Sequence, residues 1–444
     1  MAVFVIDRRQ VPLMPCSEKR ARLLLARGRA RVHRLIPFTI RLIDREVAQS
    51  ELQPLELKID PGSKTSGLAL VRNNNTVNAE TGEITATTHV LNLFELIHRG
   101  FQISQALTAR RQMRRRRRSA NLRYRAPRFL NRKNKGKRWL APSLRHRIDT
   151  TLSWVARLRN VAPITHLAQE LVRFDMQQLE NPEIAGVEYQ QGELAGYEVR
   201  EYLLEKWRRQ CSYCDASTVP LQIDHIHPKA RGGSNRVSNL TLACTPCNLK
   251  KAAQDITLFL AKDPKRLTKI QAQAKRPLRD ATAVNATRWQ LFNALKATGL
   301  SVRTGSGGLT KCNRSRLTIP KTHALDAVCV GQVDNVEQWQ KPTLAIKATG
   351  RGSYQRTRLN RFGFPRGYLT RQKRIHGFQT GDRVKAIVTK GKKVGAYMGR
   401  VAVRASGSFN IQTAEGLVQG ISHRSCTLIQ RSDGYGYSLR TDSN

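Results

Sequence analysis

Residues 55–71, LELKIDPGSKTSGLALV, read as two short strands joined by a tight turn. In the first strand, polar Glu56 and Lys58 alternate with leucine and isoleucine, and a Pro-Gly pair then supplies the turn. Asp60 stands where that strand ends, directly before the turn. An aspartate in that place is often only a turn or capping residue, so its meaning depends on which side chains the fold brings to it.

Length and charge narrow the class of protein. The 444 residues are enough for roughly three domains at about 150 residues each. The 78 lysines and arginines outnumber the 32 acidic residues and give a formal net charge of +46, which indicates a polyanionic partner. A protein that binds a specific sequence in duplex DNA typically neutralises only about 6–10 phosphates, so this surplus of positive charge favours a long RNA or an RNA–DNA complex as the ligand. Composition alone also fits a ribosome-associated protein.

The N-terminus and the cysteines indicate a reducing compartment. No run of about 18 apolar residues occurs, and the first residues lack the apolar core and cleavage site of a signal peptide, so we expect a cytoplasmic protein without membrane contact. Of the eight cysteines, four form two C-x-x-C pairs and four are scattered singly. In a reducing compartment this pattern favours one metal site over a disulfide framework.

The paired cysteines have the spacing of a zinc site. Four thiolates can close a tetrahedral zinc site without any histidine, and a redox pair or a chance pairing is the alternative. The predicted zinc ligands are Cys211, Cys214, Cys244 and Cys247. Asp224, His225 and His227, which lie between the two pairs, are then available for other chemistry.

Charge is distributed unevenly along the chain. Residues 101–150 contain seventeen lysines and arginines against the single acid Asp149, and ten of the arginines fall between positions 110 and 128. Taken alone, such a run is as often a solvated arm as a binding element. Residues 175–205 carry eight acids and one base, and we interpret them as the linker and first helix of an inserted module. Beyond about residue 340, short β-rich runs predict a small SH3-like β-barrel.

The residues between the cysteine pairs resemble the HNH nuclease family. A strand with Asp224-His225, a glycine turn, Asn239 and then Asn248 at a helix start match its ββα arrangement. The resemblance implies that His225 takes a proton from the attacking water, that Asp224 and Asn248 hold one Mg²⁺, and that Asn239 supports the site. A zinc ribbon with a buried histidine is the structural alternative. His227 is left out because the family pattern does not require it.

Three separated segments resemble the split RuvC nuclease, which has an RNase H-like fold. They are residues 55–71, the apolar strand within 164–175 that ends at Glu170, and residues 319–331, where His323 and Asp326 share a helix face. The resemblance implies that Asp60, Glu170 and Asp326 bind two Mg²⁺ ions and that His323 is the base. Each acid could also be an ordinary surface residue, and Glu180 and Glu183 compete with Glu170 for its role.

The order of these segments resembles IscB, the transposon-encoded RNA-guided nucleases related to the large CRISPR effector with the same two nuclease domains. The string PLMP at residues 12–15 adds to the match. We therefore predict a multidomain α/β protein: an RNase H-like RuvC core with a mixed sheet, an inserted ββα zinc HNH module, an arginine-rich bridge helix and a C-terminal region like a small β-barrel. The predicted boundaries are a PLMP N-terminal domain at 1–52, RuvC segment I at 53–100, the bridge helix and basic linker at 101–145, RuvC segment II at 146–185, the HNH module at 186–262, RuvC segment III at 263–340, and a region that binds guide RNA and contacts the target-adjacent motif at 341–444.

The resemblance implies a metal-dependent, RNA-guided DNA endonuclease. HNH would cut the strand paired to the guide and RuvC the displaced strand, in a monomeric ribonucleoprotein of the prokaryotic cytoplasm that binds a structured guide RNA and duplex DNA with a short flanking motif. The alternatives are a protein-guided HNH-type endonuclease, a junction resolvase and a non-enzymatic RNA-binding protein. The arginines assigned to nucleic-acid contacts are Arg110, Arg111, Arg114, Arg115, Arg116, Arg117, Arg118, Arg123 and Arg125.

Overall fold

A computed structural model describes residues 1–77, 84–122, 140–171, 195–275, 279–350, 357–362, 364–368 and 372–440. Strands and helices are numbered in chain order within these ranges. The strands are β1 (Val3–Ile6), β2 (Pro12–Cys16), β3 (Ala30–Arg34), β4 (Thr39–Leu42), β5 (Leu55–Asp60), β6 (Thr65–Val77), β7 (Ile84–Ile97), β8 (Ile164–Glu170), β9 (Leu221–His225), β10 (Leu240–Cys244), β11 (Ser301–Gly305), β12 (Asn335–Glu337), β13 (Thr343–Ala348), β14 (Thr357–Leu359), β15 (Pro365–Tyr368), β16 (Arg383–Val388), β17 (Gly395–Ala402), β18 (Ser408–Gln412), β19 (Leu417–Ser422), β20 (Cys426–Gln430) and β21 (Tyr435–Arg440). The helices are α1 (Glu18–Ala26), α2 (Gly100–Ser119), α3 (Pro142–Arg159), α4 (Ala195–Lys206), α5 (Thr245–Lys251), α6 (Ile256–Phe259), α7 (Pro264–Lys275), α8 (Arg279–Lys296), α9 (Gly307–Arg316) and α10 (His323–Val328).

The N-terminal segment forms its own small sheet. Its four strands lie in the order β2-β1-β4-β3, and β1 pairs with β4 in parallel. Helix α1 begins after Ser17, whose hydroxyl accepts a hydrogen bond from the backbone of Arg20. Val3, Leu13 and Ile40 are among the apolar side chains that fill the core of this unit.

A mixed sheet forms the centre of the molecule. Its strands lie in the order β11-β8-β5-β6-β7-β13-β21, and β12 pairs with β7. β5, β6 and β7 form an antiparallel meander, while β8 and β11 join the other side of β5 in parallel. Numbered by their order in the chain, these five strands therefore run 3-2-1-4-5 across the sheet. Helix α3 covers one face, with Trp154 buried against Leu57 and other strand residues.

Polar and apolar residues alternate in β5, and all six of its residues are buried. Its apolar side chains face α3, and its polar side chains lie under α10 on the other face. Glu56 accepts a hydrogen bond from the Asn73 side chain, and Lys58, which is 2% exposed, donates to backbone carbonyls. The alternation therefore marks buried polar contacts rather than solvent exposure.

The connection between β8 and β11 contains a second compact unit. β9 and β10 pair in antiparallel fashion, and α5 follows β10 directly. A separate apolar core that includes Tyr202, Trp207 and Leu242 surrounds this pair. Helix α8 then leads the chain back to β11, which pairs in parallel with β8.

The C-terminal part contains a five-stranded antiparallel sheet. The strands lie in the order β19-β18-β17-β16-β20, and a single turn of 3-10 helix precedes β20. Val384, Phe409 and Ile411 are fully buried in its core. The chain then returns to the central sheet as β21. Within the described ranges, no helix combines the length and the apolar character needed to cross a membrane.

Candidate functional site

Two acidic side chains end neighbouring parallel strands of the central sheet. Asp60 closes β5 and Glu170 closes β8, and because these strands run in the same direction, their carboxyl ends meet at one edge. Helix α10 packs on β5 and carries Asp326, whose charge interacts with that of Asp60. The structure thus brings the three predicted acids together, and we call Asp60, Glu170 and Asp326 the acidic edge.

His323, the predicted base, lies beside the acidic edge. Its Nδ1 is 2.7 Å from Oδ2 of Asp60. Burial lowers the pKa of His323, but the hydrogen bond and the charge of Asp60 outweigh burial and leave the pKa above its ordinary value. The imidazole therefore favours its charged form when it is paired with Asp60.

The acids repel one another in a buried place. Burial, followed by the charge of Asp60, raises the pKa of Glu170 to about 8 and the pKa of Asp326 to about 6. A hydrogen bond from Thr310 opposes the rise at Glu170, and Arg314, whose Nε lies 2.8 Å from Asp326 Oδ1, opposes it at Asp326. Oxygen ligands with this excess of negative charge fit hard divalent cations.

Close backbone approach explains the second glycine of the opening motif. A Cβ atom at Gly67 would lie 1.7 Å from the carbonyl oxygen of His323, so only glycine lets the start of α10 approach β6. Sequence reasoning missed Thr310 and Arg314, which α9 brings to the acidic edge. The sequence of α9 is an ordinary basic helix and carries no motif that points to either residue.

The four paired cysteines form the tightest group of possible metal ligands. In the part of the chain that the structure describes, only Cys211, Cys214, Cys244 and Cys247 form a group of three or more Cys, His, Asp or Glu residues whose ligand atoms all lie within 4.8 Å of one another. All four are free of disulfides, and burial raises the pKa of the Cys211 and Cys247 thiols. Four sulfurs at this spacing fit a tetrahedral zinc ion. The ligand atoms of the acidic edge do not all lie within this distance of one another.

Asp224 is buried and held by two side chains. Its Oδ2 accepts a hydrogen bond of 2.5 Å from the Tyr213 hydroxyl, and its Oδ1 accepts one of 3.2 Å from Lys251. Lys251 has no exposed surface and also donates to the backbone oxygen of His225. A carboxylate has about four acceptor positions, so two remain for another ligand. Tyr213 and Lys251 were not predicted from the sequence.

His225 and Asn248 are partly exposed beside Asp224. Nε2 of His225 lies 2.9 Å from Oδ1 of Asn235. Asn248, near the start of α5, donates its amide N–H to Oε1 of Gln222 at 2.6 Å. This bond leaves the amide oxygen of Asn248 as its acceptor. Gln222 lies two residues before Asp224 on β9, so the two side chains leave the same face of the strand.

His227 is engaged at both ring nitrogens. Nδ1 lies 2.7 Å from Asp255 Oδ2 and Nε2 lies 2.9 Å from the backbone oxygen of Arg231. Because both partners are acceptors, the ring donates twice, and the hydrogen bond to Asp255 raises the pKa of His227. Asn239 bonds the backbone N–H and carbonyl of His227. This arrangement is consistent with leaving His227 out of the base role and with a supporting role for Asn239.

The arginine run forms part of helix α2, and its faces differ. Arg116 lies 5.0 Å from the ring centre of Phe362, Arg117 lies 4.6 Å from that of Phe364, and Arg116 also donates to the backbone oxygen of Arg361. Arg110, Arg111, Arg114 and Arg115 are exposed along the same helix. Arg123 and Arg125 lie outside the described residues.

Two family matches agree with the predicted order. Residues 3–192 match the family described as RRXRR protein, and residues 211–254 match the HNH endonuclease family. An RRXRR segment followed by an HNH domain is the order found in IscB-like nucleases. The chain resembles these nucleases over residues 3–192 and 211–254. No curated protein matches this IscB-like chain in sequence.

Several solved Cas9 structures also resemble the IscB-like chain at low similarity. The Type II-C Cas9 enzyme from Actinomyces naeslundii is 14% identical over 64% of this chain and 60% of that chain, with a TM-score of 0.23. Streptococcus thermophilus Cas9 is 12% identical in its complex with the GGAA PAM and 11% identical with the AGAA PAM, with TM-scores of 0.23 and 0.24. Both cover 59% of this chain and 32% of the longer protein. The assignment rests on the two family matches.

Proposed function

We propose that the chain is an RNA-guided DNA endonuclease with two cutting centres. The observation that carries the proposal is the acidic edge. It lies on a sheet with strand order 3-2-1-4-5, and the residues that match the HNH family are inserted after the fourth strand of that sheet. That strand order is the one expected of an RNase H-like fold. It supports the interpretation of the sheet as a RuvC core, and the seven predicted segments belong to the same proposal.

In the RuvC centre, Asp60, Glu170 and Asp326 would hold two Mg²⁺ ions. Ions held there would supply positive charge for the scissile phosphate and for the attacking and leaving oxygens. His323 would accept the proton of the attacking water in its neutral form, after release of its hydrogen bond to Asp60 has let it give its own extra proton to solvent. Thr310 and Arg314 would orient Glu170 and Asp326, since each already contacts one of these carboxylates.

In the HNH centre, His225 would take the proton from water while Asp224 and Asn248 hold one Mg²⁺. That ion would stabilise the charge that develops on the leaving oxygen. Tyr213 and Lys251 fix the Asp224 carboxylate, and Gln222 fixes the amide of Asn248. The four cysteines would hold a structural zinc ion, because their sulfurs leave no position for substrate.

Nucleic-acid binding is assigned to the basic surface. The exposed arginines of α2 would contact the guide RNA and the heteroduplex through phosphates. The C-terminal sheet, an antiparallel meander whose fifth strand follows a 3-10 turn and pairs with the first, supports the SH3-like interpretation and would bind guide RNA and the flanking motif. We expect a monomeric ribonucleoprotein in the prokaryotic cytoplasm.

Sequencing of the RNA that copurifies with the protein tests this function most directly. We expect a structured RNA with one variable end, and replacement of that end should redirect cleavage to a matching duplex. Strand-specific end labels then report each cut. Cleavage that ignores the guide would favour a protein-guided HNH endonuclease. RNA binding without any cleavage in Mg²⁺ would favour the non-enzymatic alternative.

A further inference from the structure

Four consecutive backbone carbonyls at the end of helix α10 are bound by two buried side chains. Nζ of Lys58 donates to the oxygens of Val328 and Val330, at 3.1 and 3.0 Å. Nδ2 of Asn313 donates to the two alternate oxygens, those of Cys329 at 3.0 Å and Gly331 at 2.8 Å. We call Lys58 and Asn313 the carbonyl clamp.

The helix that the clamp holds is too short to keep its own position. α10 spans only six residues, and isolated helices below about 12–15 residues are marginal in water. Its first turn is capped by Thr322, whose side chain accepts from the backbone of Leu325. Its last carbonyls have no further turn to bond and lie against the buried β5, where water cannot replace the clamp. Both ends of α10 are therefore fixed by named side chains.

The clamp and the acidic edge belong to the same elements. Lys58 precedes Asp60 by two residues on β5, so their side chains leave the same face of the strand. Asn313 lies on α9 beside Arg314, which pairs with Asp326. Strand β5 thus carries one acid of the acidic edge and one clamp residue. Helix α9 carries the partner of another acid and the second clamp residue.

We propose that Lys58 and Asn313 are positioning residues of the RuvC centre, which set His323 and Asp326 at the correct distance from Asp60. The inference rests on the proposed function of the acidic edge. A lysine is unusual in a buried central strand, because burial opposes its charge and lowers its pKa. Two carbonyl partners at a helix C-terminus, where the helix dipole is negative, favour a cation there. Methionine or leucine would fill the same volume without these bonds.

The test uses the full chain with its copurified RNA and compares Lys58→Met and Asn313→Leu with wild type. We expect cleavage of the displaced strand to fall about 10²-fold, as for a misplacement of roughly 1 Å, and to need more Mg²⁺ for half-maximal rate. Cleavage of the guide-paired strand should stay at the wild-type level and reports folding and guide loading in the same molecule. The matched control is Lys206→Met, because Lys206 is also a buried lysine that donates to a helix carbonyl, that of Ala274 in the HNH unit.

Hydrogen exchange supplies a readout that does not depend on cleavage. In both clamp variants the peptide 323–331 should exchange faster while the strands of the central sheet keep their protection. If that peptide exchanges as in wild type, the clamp does not hold α10 and the inference is wrong. Equal losses of both cuts with a lower melting temperature would show a merely structural role and also overturn it. Faster exchange in a protein whose wild type never cuts the displaced strand would retain the clamp and refute only the proposed function.

Discussion

The acidic edge and the HNH unit are built in opposite ways. The acidic edge collects Asp60, Glu170 and Asp326 from segments far apart in the chain. Burial, followed by the charge of Asp60, raises the pKa of Glu170 and of Asp326. In the HNH unit, Asp224 has a buried cation, Lys251, beside it before any metal binds. The acidic edge also contains cationic groups, Arg314 at Asp326 and His323 at Asp60, but its three acids outnumber them. In the HNH unit one buried cation is paired with one buried acid.

This contrast assigns different tasks to metal ions. Zinc, if bound by the four cysteines, organises the fold of the HNH unit and leaves its acid already paired. Magnesium at the acidic edge would relieve repulsion that the fold itself creates. The two centres should therefore respond differently to loss of a cysteine, loss of a carboxylate and a change of pH.

Loss of one cysteine should have the largest effect. Structural zinc contributes on the order of 10 kcal/mol to the folding of small domains, so Cys211→Ser should release the ion and unfold the HNH unit. Cleavage of the guide-paired strand should disappear, while displaced-strand cleavage keeps a measurable part of its rate. Bound zinc and strand-resolved cleavage are measured together, with the singly placed Cys312→Ser as control. Full zinc occupancy and a normal HNH cut in Cys211→Ser would exclude the site.

Removal of one catalytic side chain should separate the two cuts. Loss of a general base costs about 10²–10⁴-fold, so His225→Ala should leave a nick in the displaced strand only. Asp60→Ala should leave a nick in the guide-paired strand only, and the double variant should bind without cutting. End-labelled substrates report the two strands, with His227→Ala as the matched histidine control. Normal cutting of both strands by either single variant would refute the assignment.

A pH series should distinguish the two centres through stability. In magnesium-free buffer the folded state keeps the proton of Glu170 up to its pKa of about 8, whereas the unfolded chain loses it near the ordinary value of 4.5. Between these values the unfolded state binds fewer protons, so stability falls as pH rises, by at most about 1.4 kcal/mol per pH unit.

Calorimetric melting from pH 5 to 8 measures this dependence. Glu170→Gln should flatten it, and saturating Mg²⁺ should do the same in wild type by holding the carboxylate ionised. The exposed Glu51→Gln variant is the control. If the melting temperature of Glu170→Gln depends on pH as that of wild type does, the acidic edge does not store repulsion.

The smallest effect is expected from dividing the arginine run. Replacing Arg114 to Arg118 together with alanine should weaken RNA binding regardless of sequence. Within that block, Arg114→Ala/Arg115→Ala should flatten the dependence of log affinity on log salt by about 0.7–0.9 for each phosphate that is no longer neutralised. Arg116→Ala/Arg117→Ala should change this slope less, because those guanidinium groups already contact Phe362 and Phe364. Filter binding of the copurified RNA across a salt series measures both slopes. Equal slopes for the two double variants would contradict a difference between the two arginine pairs.

Local patterns predicted the HNH unit better than the central site. The cysteine spacing predicted the only compact group of possible metal ligands in the described residues. The four residues of the HNH pattern, Asp224, His225, Asn239 and Asn248, lie within one short stretch of the sequence. The RRXRR and HNH matches confirm the predicted family. The individual catalytic roles stay predictions.

The partners of the acidic edge could not be predicted because they act only through tertiary contact. In the sequence Lys58 is one polar residue of an alternating strand, and its contacts lie at the end of a helix some 270 residues later in the chain. Thr310, Asn313 and Arg314 share an ordinary basic helix sequence. Arg116 and Arg117 look like their neighbours until Phe362 and Phe364 are placed beside them.

The way the HNH unit leaves the sheet has a mechanical consequence. The chain departs after Glu170, and the next backbone N–H, that of Leu171, donates to the oxygen of Gly305 at 2.8 Å. This bond ties the exit point to β11, the strand on which the excursion ends. A displacement of the chain beyond Leu171 would therefore load this hydrogen bond before it reaches Glu170. The bond shields the geometry of the acidic edge from the unit that is inserted after it.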